Sequence, residues 1–300
     1  MRYLVMRTEN LSKEFRRQPA LCGVTLEVDP GEVFGLLGPS GAGKSTLFHI
    51  LLDFIRPSHG HALVLGMDCQ RNGLKVRRLV GYLPQNLSLP KGLSGRQVIE
   101  RFAALRDGVD LNFAYSLAAR FKTNLDVPCG QLSAAEQRKI GLVQAFMHKP
   151  ELILLDEPSR DLDTLTQMEL YHLIAEFRAE GHSVVIASQS IAEMERICDR
   201  VAVFHQGRVI AVERGAQLRA RAIRKIEMRF ANPVNPQIFM GLNNINQLVC
   251  DQNKVYCTVQ GDPDALLKTA SQFRVLDIIS QQPPLEEVYQ TVYGIPAYVV

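Results

Sequence analysis

The stretch GPSGAGKS, Gly38 to Ser45, constrains this chain more than any other part of it. It fits the pattern G-x-x-x-x-G-K-[ST], in which glycines let backbone N–H groups turn inward around an anion. Its flanks agree. EVFGLLG (residues 32–38) is a nearly continuous apolar run, as a buried strand is, and STLFHILLDF (45–54) has helical spacing. A strand, a glycine-rich turn and a helix whose positive end faces that turn make a phosphate cradle. Gly38, Pro39, Ser40, Gly41, Ala42, Gly43 and Thr46 are expected to form it. Lys44 would reach the β- and γ-phosphates, and the Ser45 hydroxyl would bind Mg²⁺.

LILLDEP (152–158) ends a second buried strand with two carboxylates. Asp156 is expected to hold Mg²⁺ through water, and Glu157 to orient or deprotonate an attacking water. HSVVIAS (182–188) reads as a third strand, and VTLEV (24–28) alternates like another. TQMELYHLIAEFRAEG (166–181) reads as an amphipathic helix stopped by Gly181. Strands alternating with helices imply an α/β fold with a mostly parallel sheet. The region from Ser94 to Ala145 has helical patterns and little strand signal, so it is expected to be a helical insert.

Composition shifts after Gly215. QLRARAIRK (217–225) is basic, and its part from Arg219 to Lys225 is read as a solvated linker. IEMRF (226–230) alternates, and LVCDQNKVYCTV (248–259) reads as a hairpin turning at Asp251 to Asn253. DPDALLKTA (262–270) and LEEVYQTVY (285–293) read as short helices, with the strand FRVLDII (273–279) between them. A small α+β domain is expected at about 222–300.

Composition mainly excludes. A net charge of +3 is too small to argue for nucleic acid. Runs such as LILL and VVIA fall far short of the roughly 20 apolar residues a membrane helix needs. The opening MRYLVMRTEN lacks the apolar core of a signal peptide. The six cysteines form no CxxC pair and read as reduced thiols of a cytosolic protein.

Together these motifs resemble the ATP-binding cassette (ABC) ATPases, in the family's order, over residues 1–220. The resemblance implies a P-loop NTPase (RecA-like) parallel sheet with an N-terminal antiparallel β-subdomain and a helical subdomain at about 88–145. Phe15 sits where that family stacks an aromatic ring on adenine. GYLPQNLSL (81–89) resembles the Q-loop, with Gln85 as the residue that senses Mg²⁺ and the attacking water, beside the groove for the membrane subunit. SRDLD (159–163) matches the D-loop, with Asp163 as its last acid. PPLEEVYQTVYG (283–294) resembles the ending of ATPases from exporters of drugs and polysaccharides.

Two stretches depart from the family. LSAAEQRK (132–139) stands where the signature LSGGQ belongs, and Gln189 stands at the switch histidine. In the family two ATPase domains close head to tail, and the signature loop of one covers the γ-phosphate held by the other. Ser133 is retained, while Ala134 and Ala135 replace glycines. Alanine is harmless there if the backbone is helical, and obstructive if a phosphate must approach closely. Glutamine donates a hydrogen bond but carries no charge. The expectation is therefore an exporter ATPase that binds ATP and Mg²⁺ and hydrolyses slowly. It would pair with a second ATPase domain, as homodimer or heterodimer, and sit peripherally on the cytoplasmic face of a membrane with an integral-membrane permease. The alternative is a nucleotide-dependent switch, or the degenerate half of a heterodimer. A soluble ATPase of translation or DNA repair fits less well, because the chain shows neither a second cassette nor a coiled-coil insertion, and no nucleic-acid partner is expected.

Overall fold

The chain begins with a long antiparallel pair. β1 (Met6–Phe15) turns through Arg16 and Arg17, both at positive φ, into β2 (Gln18–Val28). β3 (Val33–Leu37) is buried along its whole length, as its apolar sequence requires. It leads through the glycine-rich loop into α1 (Lys44–Leu51). β4 (His59–Val64) returns antiparallel beside β1, and β5 (Met67–Asp68) completes a four-stranded sheet in the order β2-β1-β4-β5. This is the expected antiparallel β-subdomain.

α2 (Gly73–Leu79) and β6 (Val80–Leu83) follow, then the helical insert of α3 (Gly95–Ala104), α4 (Leu111–Arg120) and α5 (Ala134–Phe146). Each insert helix has a side-chain N-cap: Ser94 within a capping box with Gln97, Asp110, and Ser133. The alternation of strand and helix then resumes with β7 (Leu152–Asp156), α6 (Thr164–Ala179), β8 (Ser183–Ser188), α7 (Ile191–Ile197), β9 (Arg200–His205) and β10 (Arg208–Arg214). After α6, Gly181 takes φ 93°, the left-handed turn its sequence position predicts.

Six strands form the second sheet, in the order β10-β9-β3-β8-β7-β6. β3 pairs in parallel with β8 and β9, and β7 pairs in parallel with β6 and β8. The carboxyl ends of β3, β6, β7 and β8 therefore share one edge, where open α/β sheets bind ligands. Phe34, Leu47, Phe48 and Phe204 are fully buried in the core behind that edge.

The computed structural model describes residues 2–220 and 223–281, with Pro283, Glu287 and Val292. The chain divides into two compact units, Met1–Glu213 and Arg214–Val300. The second contains α8 (Gly215–Ala220), β11 (Ile223–Phe230), α9 (Gln237–Met240), β12 (Ile245–Asp251), β13 (Lys254–Gln260), α10 (Asp264–Ala270) and β14 (Val275–Gln281). Its strands pair antiparallel in the order β12-β13-β11-β14. Alternate residues Ile226, Met228 and Phe230 of β11 and Val255, Cys257 and Val259 of β13 bury one face with Phe239 and Leu266. The sequence-predicted hairpin turns at Gln252, φ 51°. Most of the predicted helix at 285–293 and part of the basic linker at 219–225 lie outside the described residues. Among the described residues, no helix is long and apolar enough to cross a membrane.

Candidate functional site

The shared carboxyl edge collects residues that are far apart in sequence. A cavity of about 100 Å³ is lined by the loop and helix start from Ser40 to Thr46, by Gln85 after β6, by Asp156 and Glu157 at the end of β7, and by Gln189 after β8. The loop's glycines are required by space and conformation. A Cβ on Gly43 (φ 104°) would stand 2.5 Å from the Ala20 carbonyl oxygen, and one on Gly38 would stand 2.7 Å from that of Phe204.

Lys44 is only 6% exposed and is held ready at the cavity wall. Its Nζ donates to the carbonyls of Gly38 (2.5 Å) and Pro39 (3.0 Å), and lies 3.9 Å from Glu157 Oε1. Burial pulls the ammonium pKa down, while Glu157 and Asp156 pull it up. Asp156 is 1% exposed. Burial raises its carboxyl pKa, against a hydrogen bond from Ser45 and the charge of Lys44. Its Oδ1 is buried without a hydrogen-bond partner, an orphaned acceptor that a cation or water would satisfy. Glu157 sits at φ 49°, a strained conformation for a non-glycine residue, with its N–H donating to the Ala187 carbonyl at 2.8 Å. Burial raises its carboxyl pKa, while Lys44 and hydrogen bonds from the Gln189 side chain and backbone lower it.

These groups suit a hard divalent ion. Ser45, Gln85 and Asp156 offer oxygen donors, and such an ion takes the rest of its shell from water and phosphate oxygens. Among the described residues no group of three or more His, Cys, Asp or Glu side chains could hold a metal.

The buried charge has a cost without that ion. A carboxyl whose folded pKa is raised binds its proton more tightly in the folded state, so stability falls as pH rises through that window. In Mg²⁺-free solution Asp156→Asn is therefore expected to raise Tm at neutral pH. The gap should close as pH falls below the ordinary aspartate value of about 3.9. Thermal unfolding across pH in EDTA checks this, and an unchanged Tm at neutral pH would contradict it.

The sequence profile of ABC transporters matches residues 21–160. An uncharacterised ABC transporter ATP-binding protein of Nostoc sp. is 34% identical over 69% of this chain. The chain spans 65% of that relative, just under two thirds of its length. The Nod factor export ATP-binding protein I of Rhizobium etli is 27% identical over 95% of this chain and 92% of its own. The solved structure of an ATP-binding subunit of an ABC transporter superposes with a TM-score of 0.65 and 26% identity, over 70% of this chain and 90% of that one. The chain carries an ABC transporter ATPase domain.

Of the expected site residues of this ATPase domain, Gly38 and Pro39 precede the part of the loop that lines the cavity, and Phe15, Ser133, Ala135 and Asp163 lie on other elements. Phe15, at the end of β1, is 46% exposed, with Lys13 Nζ over its ring, 5.0 Å from the centre. Ser133 caps α5 by accepting from the Glu136 N–H at 3.2 Å. Ala134 and Ala135 are the first residues of that helix, where alanine is the best helix former. The helical condition set by the sequence is thus met. Glu136 is not a free negative charge, since its Oε1 lies 2.7 Å from Lys139 Nζ. Asp163 caps α6, accepting from the Thr166 N–H (3.0 Å) and hydroxyl (2.6 Å), and these bonds hold its carboxyl below the usual range. Within this chain it is the N-cap of α6.

Sequence reasoning missed Arg138, which is 3% exposed beneath the site. One signal existed. α5 is buried almost all round from Ile140 onward, so a charge at the start of its packed part must be matched internally.

Proposed function

We propose that the chain binds MgATP at this edge, hydrolyses it slowly, and powers a separate permease of an exporter. The observation that carries hydrolysis is Glu157, a half-buried carboxylate in the cavity wall with raised pKa, 3.9 Å from the phosphate-loop lysine. A carboxylate raised toward neutrality suits proton abstraction from water. Mg²⁺, which Ser45 and Asp156 would hold, would supply charge neutralisation for the phosphates. Lys44 and the loop N–H groups position the γ-phosphate, Gln85 and Glu157 face the water's approach, and Ser45 and Asp156 hold the ion. Steady-state phosphate release from MgATP, compared with Glu157→Gln, tests the reading.

Dimerisation follows from the placement of Ser133. It is exposed at a helix N-terminus and does not line its own chain's cavity, so it would complete a nucleotide site only in a second cassette, identical or not. The permease reading rests on a second cavity. Beside the Gln85 loop, a groove of about 680 Å³ is lined by Phe54, Tyr82, Leu87, Phe102 and Leu105, with Arg77, Arg78 and Arg106 and no carboxylate. It fits an apolar docking segment with an acidic group, which supports a peripheral position beside a permease on the cytoplasmic face of a membrane. The likeness to the Nod factor export protein favours an exporter.

Gln189 also favours a second reading, a nucleotide-dependent switch with weak catalysis. Its side chain bonds the Glu157 carboxylate without adding charge. An imidazolium there would supply a charge-assisted bond of about 1.5–3 kcal/mol. If that bond strengthens only in the transition state, Gln189→His raises turnover about 10- to 150-fold. An unchanged kcat would mean that glutamine serves the step fully.

A further inference from the structure

Arg138 has five N–H donors and uses them on five backbone carbonyls. Nη1 donates to Pro84 (3.4 Å) and Gln85 (3.1 Å), Nη2 to Asp156 (3.0 Å) and Glu157 (2.5 Å), and Nε to Pro158 (3.4 Å). No carboxylate pairs with it among the described residues. Burial pulls its pKa down, opposed mainly by the more distant charge of Asp161. A buried guanidinium neutralised by carbonyl dipoles alone is costly unless every donor is satisfied, and here every donor is.

The five carbonyls belong to two segments, one carrying Gln85 and the other Asp156 and Glu157. Sheet pairing does not reach the Gln85 segment, since β6 ends at Leu83, and on the other segment it ends with the Asp156–Ala187 pair and the Glu157 N–H bond to the Ala187 carbonyl. The Glu157 carbonyl that Arg138 holds belongs to the residue at φ 49°, and strain of this kind persists only where its surroundings fix it. Arg138 itself stands in the second turn of α5, the helix capped by Ser133.

We infer that Arg138 is a positioning residue that ties Gln85 and Glu157 to the helix capped by Ser133, so that both segments move with α5. An ATP-bound second cassette that engages Ser133 thereby acts on the water-activating groups of this chain's own site. This inference rests on the hydrolysis reading above for its kinetic consequence, though not for its structural one.

The test uses Arg138→Lys and Arg138→Met in the full chain. Lysine keeps the charge, but its three donors radiate from a single atom and cannot span both segments. Methionine keeps the stem volume and no donor. Both variants are expected to lose kcat on the order of 100-fold, as small displacements of reacting groups do, with MgATP Kd unchanged. Amide exchange by mass spectrometry should quicken in peptides covering the Gln85 and Glu157 segments and nowhere else. Wild-type kcat in Arg138→Lys overturns the five-donor argument, because charge alone would then suffice. A general rise in exchange with a lower Tm also overturns it, since the role would be one of global packing. Should the wild-type chain not hydrolyse ATP, the hydrolysis reading fails by itself, and the exchange pattern still decides this one.

Discussion

Glu157→Gln is expected to abolish steady-state hydrolysis while leaving MgATP bound. Glutamine keeps the shape of the side chain and an oxygen acceptor, but it cannot take a proton. Loss of a positioned general base costs about 10²- to 10⁴-fold in rate. The geometry argues for the upper part of that range. Within the cavity wall only Asp156 offers another carboxylate, and its partners are Ser45 and the metal position. Binding should survive or tighten, because the substitution removes a negative charge from beside the triphosphate. The wild-type pH profile carries the same signature. Burial raises the Glu157 pKa, so the base is lost to protonation at a higher pH than an ordinary glutamate. Turnover should therefore fall with acidity above the usual glutamate value of about 4.3. Phosphate release and nucleotide titration on both proteins check the pair of claims. Equal rates in the two would assign the activity to another base or another enzyme.

What could be read from the sequence follows the range of the interactions. The phosphate loop was legible because its chemistry is contiguous: one turn, its flanking strand and its helix. β7 and β8 were legible because strands covered on both faces are apolar throughout. β1 was not read as a strand, and its pairing explains why. Register shifts after Thr8, Leu11 and Lys13 interrupt the alternation that would reveal it. The partial reading of β2, from 24 to 28 only, has the same cause, since its first half pairs with that irregular segment. Asp163 and Ser133 were named for their likeness to family motifs, yet within this chain each caps a helix. Local capping is invisible in a motif alone. The bond from Gln189 to Glu157 and the five bonds of Arg138 join segments that lie between 18 and 54 residues apart or are brought together only by parallel pairing of β6, β7 and β8. No local pattern encodes such contacts.

Lys44→Ala is expected to weaken MgATP binding about 10- to 150-fold, the worth of one charge-assisted bond of 1.5–3 kcal/mol to a phosphate oxygen. The geometry of Lys44 shows why little reorganisation is needed on binding. Two of the three ammonium donors are taken by the Gly38 and Pro39 carbonyls, so the stem is fixed and the third remains for a ligand. The same substitution changes the empty protein. Lys44 lowers the pKa of both Asp156 and Glu157, so its removal lets both rise further. Raised carboxyl pKa values penalise the folded state above the unfolded values, so the variant should lose stability at neutral pH and regain it toward acid. Lys44→Met separates the two effects, because it restores the packed stem but not the charge. Nucleotide titration and Tm against pH, both begun in EDTA, read them independently. If Lys44→Met bound MgATP as wild type does, the ammonium would have no part in holding phosphate. If its Tm showed the wild-type pH dependence, the coupling of Lys44 to the two carboxylates would be too weak to matter, and burial would raise the Glu157 pKa without opposition from Lys44.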